Sequence, residues 1–223
     1  MKNIAFIILA LFLTSSNATT ANQIIHSYNY TFKADSYQSW GQKRYTRDEI
    51  QHYSLKIQYY SLKERIKKNI KVKTAELKYL NKIPMEDLFY MENMRKSLNI
   101  PFSIYYRLIY QESRFKHHNS KSKKNAIGYF QITPNTFKWF TEKKIKKGNL
   151  NIYNHKHNIY VGASYLKYLS SKCIVKDKIK WRYTLSSYNA GFSKRYKSLR
   201  EFPETIQYVR FIYNKELLTS LDS

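Results

Sequence analysis

All four prolines of this chain, Pro84, Pro101, Pro134 and Pro203, stand where a stretch of helical period begins. Proline suits the first turn of a helix, because the N–H it lacks is one that the helix leaves unpaired there. Apolar residues recurring at three- and four-residue intervals predict helices over residues 84–98, 102–115, 134–143, 155–172, 178–189 and 203–218. Thr133 before Pro134 gives the order of an N-cap and first turn, and Gly191 falls where a helix terminator belongs. Between these stretches KHHNSKSKKN has almost nothing to bury and reads as a loop. No set of alternating strands follows residue 83, so the class is all-α.

The front of the chain is different. Lys2, the apolar run Ile4–Leu13 and the small residues up to Ala18 and Ala21 have the layout of a secretory signal peptide, residues 1–21. Ten apolar residues make about 15 Å of helix, short of the roughly 30 Å of a bilayer core, so the mature chain is expected to be exported without a transmembrane span. Residues 22–82 read as a basic accessory region. Tyr53, Ile57, Tyr60, Leu62 and Ile70 give a loose helical period there, and a helix or helical hairpin is expected over 47–80. Residues 83–223 form the main domain. Cys173 is the only cysteine, which rules out an internal disulfide and suits a small apolar residue near a helix end.

Forty Lys and Arg against fifteen Asp and Glu give a formal charge of +25, which favours an anionic partner. Among so few acids, Glu112 in IYQESRF stands out. Tyr105, Leu108 and Ile109 precede it by seven, four and three residues, so all four share one helix face. A carboxylate on an apolar face loses hydration, and its pKa should rise toward what a general acid needs. Pairing with Arg114 or Arg107 at a helix end is the alternative. Three further segments follow in order. AIGYFQITP brings Gly128 and Gln131, SYNAG brings Tyr188 and Asn189 to a helix terminus, and PETIQYV puts Glu204 in a first helical turn with Tyr208 one turn later.

The order E-S, G-x-x-Q, Y-N-A-G, E-T-x-x-Y-V resembles the SLT-type lytic transglycosylases, relatives of goose-type lysozyme, over about residues 83–213. The resemblance implies a lysozyme-like, all-α catalytic domain in residues 83–223 with a basic, helical N-terminal extension. By it, Glu112 corresponds to the catalytic acid, while Ser113, Gln131, Tyr188, Asn189 and Glu204 correspond to substrate-binding positions. Tyr129 and Phe130 stand where the family commonly has Leu and Met, which implies a bulkier groove wall. FSKRY replaces a common Pro-Gly turn after SYNAG.

The implied reaction breaks the β-1,4 bond between N-acetylmuramic acid and N-acetylglucosamine in peptidoglycan and leaves a 1,6-anhydro end. A hydrolase of the same bond, or a wall-binding protein without turnover, would share the fold. Glycosidases usually need two carboxyl groups. Between Glu112 and Glu201 the chain offers only Glu142 in TEKKIKKG and Asp177 in KDK, both reading as solvated charges. One carboxylate acting as acid and then base fits that shortage. The chemistry needs no cofactor and no metal, and His117, His118, His155 and His157 read as surface or capping residues. The expected partners are glycan strands in the periplasm or cell envelope, with recruitment by envelope or secretion machinery in place of a wall-binding repeat. No motif for specific nucleic-acid binding is present.

Overall fold

The computed structural model describes residues 47–70, 77–119, 125–146 and 149–213. The signal peptide expected at 1–21 and most of the front region lie outside them. The chain divides into two compact units, Met1–Gln58 and Tyr59–Ser223. Of the first, residues 47–58 are described; they are the start of helix α1 (Arg47–Ile70), with Asp48 and Glu49 in the first turn and Tyr53 half exposed at 50%.

The second unit begins at Tyr59, 24 residues before the boundary expected at residue 83. The cause is a stripe at four-residue spacing, Leu62, Ile66 and Ile70, that is buried in the core, whereas Tyr60 of the expected stripe is exposed. The Tyr59 hydroxyl donates to the Ile83 carbonyl at 2.5 Å, and Lys63 Nζ donates to the Asn81 carbonyl at 2.9 Å. Helix α2 (Lys78–Lys82) follows, burying Leu77 and Leu80 at its start and middle. Residues 59–70 and 77–82 are thus wall of the compact unit as well as part of a basic region.

Helix α3 (Met85–Ser97) carries Glu86 and Asp87 in its first turn and Arg95 and Lys96 in its last, matching the helix dipole at both ends. Helix α4 (Phe102–Ser113) is central, with Ile104 to Tyr110 buried all round. It ends two residues before the expected 115, because Arg114 and Phe115 take left-handed backbone (φ 54° and 64°). Buried Glu92 accepts from Arg95 at 2.8 and 2.9 Å and from the Tyr106 hydroxyl at 2.9 Å, joining α3 to α4. Arg107 performs a second join. Its guanidinium donates twice to the Asn69 carbonyl (2.6 and 3.0 Å) and once to the Phe211 carbonyl (2.9 Å), satisfying carbonyls that two helix C-termini leave unpaired.

Helix α5 (Pro134–Phe140) begins at the Thr133 cap, whose hydroxyl accepts from Thr136 N at 3.3 Å, and runs into a π turn over Thr141–Ile145. Helix α6 (His155–Lys172) has the expected bounds and an Asn154 cap accepting from His157 N at 3.0 Å. The helix expected over 178–189 is corrected at its start. Ile174–Val175 (β1) and Lys178–Ile179 (β2) pair as an antiparallel hairpin, and Lys176 and Asp177 both take positive φ (51° and 59°), as a two-residue hairpin turn requires. Helix α7 therefore runs over Trp181–Ala190, ending at Gly191 (φ 92°). A 3₁₀ turn, Phe192–Lys194, leads to an unanticipated helix α8 (Arg195–Glu201). Its one fully buried side chain is polar, Ser198 Oγ lying 2.6 Å from Ser186 Oγ, and only Leu199 adds an apolar contact, so no apolar stripe announced it. Helix α9 covers Pro203–Ile212; residues 214–218 of the expected helix lie outside the described ones. α9 packs on α4 and α7, and α6 on α3 and α7. These contacts bring the ends of α4, α7 and α9 and the 126–133 turn together.

Candidate active site

Glu112 lies in the last turn of α4, one of the residues lining a cavity of about 410 Å³. Gln131, Thr136, Tyr165, Tyr188 and Asn189 also line it. Burial pushes the Glu112 carboxyl up to about 7, against a smaller opposing pull from a hydrogen bond with Tyr208. That phenol donates to Glu112 Oε1 at 2.5 Å. Burial also pushes the Tyr188 and Tyr208 phenols well above their ordinary value, so both stay protonated donors. Neither arginine proposed as an ion-pair partner reaches Glu112: Arg114 lies 4.1 Å over the Tyr110 ring, and Arg107 is spent on backbone carbonyls.

The other side chains are held by specific bonds. Tyr188 donates to the Phe130 carbonyl at 2.8 Å, tying α7 to the turn that carries Gln131. The Thr205 hydroxyl donates to Asn189 Oδ1 at 2.7 Å, which leaves the amide NH₂ of Asn189 as the group available to a ligand. Gln131 sits at φ 45° and uses its own NH₂ internally, donating to the His118 carbonyl at 3.1 Å and the Gly128 carbonyl at 2.8 Å. Its Oε1 is the acceptor that remains.

The turn itself is locked by close packing. Gly128 has φ 79°, and a Cβ there would stand 2.3 Å from Asn158 Cγ; a Cβ on Gly162 would stand 2.2 Å from Phe130 Cγ. Asn158 in turn donates to the Ile127 carbonyl at 3.0 Å. Tyr129 and Phe130 do not thicken the groove wall as expected, because both rings are buried on the protein side. Phe130 packs against Tyr105 with ring centroids 5.5 Å apart, and the Tyr129 hydroxyl donates to buried Asp87 at 2.7 Å. Asp87 also meets His155 Nδ1 at 2.7 Å, and His155 stacks on His117 at 3.9 Å. His117 is therefore half-buried, with its Nε2 shielded from water. Burial, then the neighbouring His155, pushes it down to about 4.

Two residues expected at the site are elsewhere. Ser113 is buried, its hydroxyl donating to the Ile109 carbonyl at 3.0 Å, and it does not line the cavity. Glu204 is exposed on α9 and does not line it either. Its helical neighbours Thr205 and Tyr208 do the work, being on the buried face with Val209 and Ile212. The signal was in the sequence: 205, 208, 209 and 212 are a helical stripe, and 204 is off it. Glu142 and Asp177 are exposed, and Glu112 is the one carboxylate among the described residues lining the cavity. Among the described residues no group of three His, Cys, Asp or Glu could hold a metal ion, and no helix is long and apolar enough to cross a membrane.

Comparison with known proteins adds to this geometry. A family model described as a transglycosylase SLT domain matches residues 89–209. No curated protein matches significantly. Among solved structures, the fold is similar to that of an inactive mutant of the lytic transglycosylase Slt from Pseudomonas aeruginosa, at 22% identity and a TM-score of 0.50. The match covers 63% of this chain and 25% of that one, so the present chain corresponds to about a quarter of its neighbour.

Proposed function

Because the chain belongs to the transglycosylase SLT domain family, whose match spans more than half of its length, we propose that it cleaves peptidoglycan glycan strands between N-acetylmuramic acid and N-acetylglucosamine as a lytic transglycosylase. The observation that carries this reading is Glu112, a carboxyl held near 7 by burial and the one carboxylate lining its cavity among the described residues.

At neutral pH such a group is present in both protonation states, as a residue that gives a proton and takes one back requires. The protonated Glu112 gives its proton to the glycosidic oxygen as the C1–O bond breaks. The resulting carboxylate, accepting from Tyr208, then takes the proton of the muramyl C6 hydroxyl while that oxygen closes on C1. The leaving sugar has gained one proton, the 1,6-anhydro end is formed, and no water is consumed. Asn189 and Gln131 offer a donor and an acceptor to orient the sugar, and Tyr188 holds the wall between them. The same reading sends the chain to the cell envelope through a signal sequence in residues 1–21, where its positive charge would hold it on an anionic wall.

The test is digestion of purified sacculi by the wild-type chain and by Glu112→Gln, with mass spectrometry of the released muropeptides. Anhydro products one water lighter than hydrolysed ones, absent with the variant, are expected. Hydrolysed products would reassign the chain as a lysozyme-like hydrolase. Equal release by Glu112→Gln would remove Glu112 from the chemistry, and no release by either chain would leave a wall-binding protein.

A further inference from the structure

Two rows of side chains leave the cavity along the helices that flank it. On α5, Thr136 lines the cavity and Trp139 stands one turn beyond. On α6, Tyr165 lines the cavity, and Tyr168 and Lys172 follow at one and two turns. The rings form an unbroken series from the cavity wall outward: Tyr188 to Tyr165 at 5.6 Å, Tyr165 to Phe140 at 5.4 Å, Phe140 to Tyr168 at 5.6 Å, and Tyr168 to Trp139 at 5.9 Å.

Core packing accounts for Phe140, which is buried. It does not account for Trp139, which leaves 41% of its surface in water at the far end of the series. Nor does it account for the cations gathered there. Lys144 Nζ lies 5.7 Å from the Trp139 ring centre and 5.4 Å from that of Tyr168, and Lys172 Nζ lies 5.7 Å from Tyr168. Both lysines are exposed, and neither pairs with a carboxylate among the described residues. Cation–ring contacts at exposed sites are weak, so these charges remain open to a better partner. An exposed indole offers a flat apolar face, and the ammonium groups of Lys144 beside it and of Lys172 beside Tyr168 offer a carboxylate site. From Tyr165 to Lys172 the helix rises about 10 Å, so the row reaches well past the cavity.

We propose that this track, Trp139, Tyr168, Lys144 and Lys172, binds the next muropeptide unit of the strand whose bond lies at Glu112. The sugar face rests on the Trp139 and Tyr168 rings, and the carboxylates of that unit's stem peptide meet Lys144 and Lys172. The identity of the ligand rests on the function proposed above; the track itself rests on the ring series and the two unpaired cations.

The experiment uses the full chain carrying Glu112→Gln, so that binding is read without turnover. Calorimetry measures its affinity for three probes: a disaccharide-peptide monomer, a glycan strand of several peptide-bearing repeats, and a neutral chitohexaose. Adding Trp139→Ala should weaken the two long probes by about tenfold and leave the monomer unchanged. Adding Lys144→Ala and Lys172→Ala together should weaken only the peptide-bearing strand, by a factor that shrinks as salt rises. Unfolding curves matching the parent's exclude damage to the fold. The track is overturned if Trp139→Ala leaves the long probes unaffected, if it weakens the monomer as much, or if the parent binds no probe. Cleavage of sacculi by the wild-type chain decides the catalytic reading separately, so a strand that is bound along the track and left uncut would defeat one and keep the other.

Discussion

Replacing Tyr208 with Phe removes one oxygen atom from the protein, and the direction of its effect follows from which partner donates. The phenol donates to Glu112 Oε1, which stabilises the carboxylate form and opposes the upward push of burial. Without it the Glu112 carboxyl must rise above about 7. A hydrogen bond to a charged group contributes about 1.5–3 kcal/mol, which is about one to two pH units at ~1.4 kcal/mol per unit. Water entering the cavity replaces part of the lost bond, so the lower end, about one unit, is expected. In the proposed reaction the acid step needs protonated Glu112, and in the wild type kcat/KM should then fall as pH rises through about 7. In Tyr208→Phe that alkaline limb should move up by about one unit, with a lower maximum because the carboxylate that forms on proton transfer has lost its donor. Initial rates of muropeptide release across about pH 5 to pH 9 would measure it. Tyr208 is 6% exposed and Phe keeps its ring, so the packing should survive. An unmoved limb, or one displaced to lower pH, would refute the assignment of Glu112 as the titrating acid held by Tyr208.

The same carboxyl makes stability depend on pH. Its folded pKa of about 7 lies above the ordinary 4.5, so the folded chain holds the proton more tightly, and its stability falls as pH rises from about 4.5 to about 7. Glu112→Gln should therefore match the wild type near pH 4 and exceed it above pH 7 by up to about 3 kcal/mol, read from denaturant curves at the two pH values. Arg107→Met leaves carbonyls at two helix ends unpaired and should cost about 3 kcal/mol, seen as a lowered thermal midpoint. Gly128→Ala forces a Cβ against Asn158 at positive φ and should cost about 2 kcal/mol or more, with KM rising because the Gln131 turn shifts. Tyr129→Phe deprives buried Asp87 of a donor and should cost about 1–3 kcal/mol in the same denaturant assay while leaving the alkaline limb of the rate profile in place.

What the sequence displayed of this site depended on whether a residue's role followed from helical geometry alone. Glu112 did: three apolar residues on its face implied a desolvated carboxyl, and burial is the largest cause of its shift. The pairing of Tyr188 and Asn189 at the end of α7 was visible as a motif, but their holders, Phe130 O and Thr205, are 58 and 16 residues away and have no local mark. Glu204 and Ser113 drew notice as polar residues within recognisable segments, and both prove to be off the cavity, one exposed and one bonded to its own helix. The fold shows the same division. Helices with apolar stripes, α4 and α6, were readable nearly to their ends, whereas α8 buries a serine against a serine and the turn at Lys176 and Asp177 needs left-handed backbone without the glycine that usually signals it. The front helix is the instructive case: its loose stripe was diluted by Tyr53 and Tyr60, which stay wet, while Leu62, Ile66 and Ile70 take their place in the core. Arg107 ties that stretch to the helices around the cavity. It crosses from α4 to carbonyls near the ends of α1 and of α9, the helix that presents Tyr208 to Glu112, so one guanidinium joins the end of α1 to two helices that carry the cavity's carboxyl and its hydrogen-bond donor.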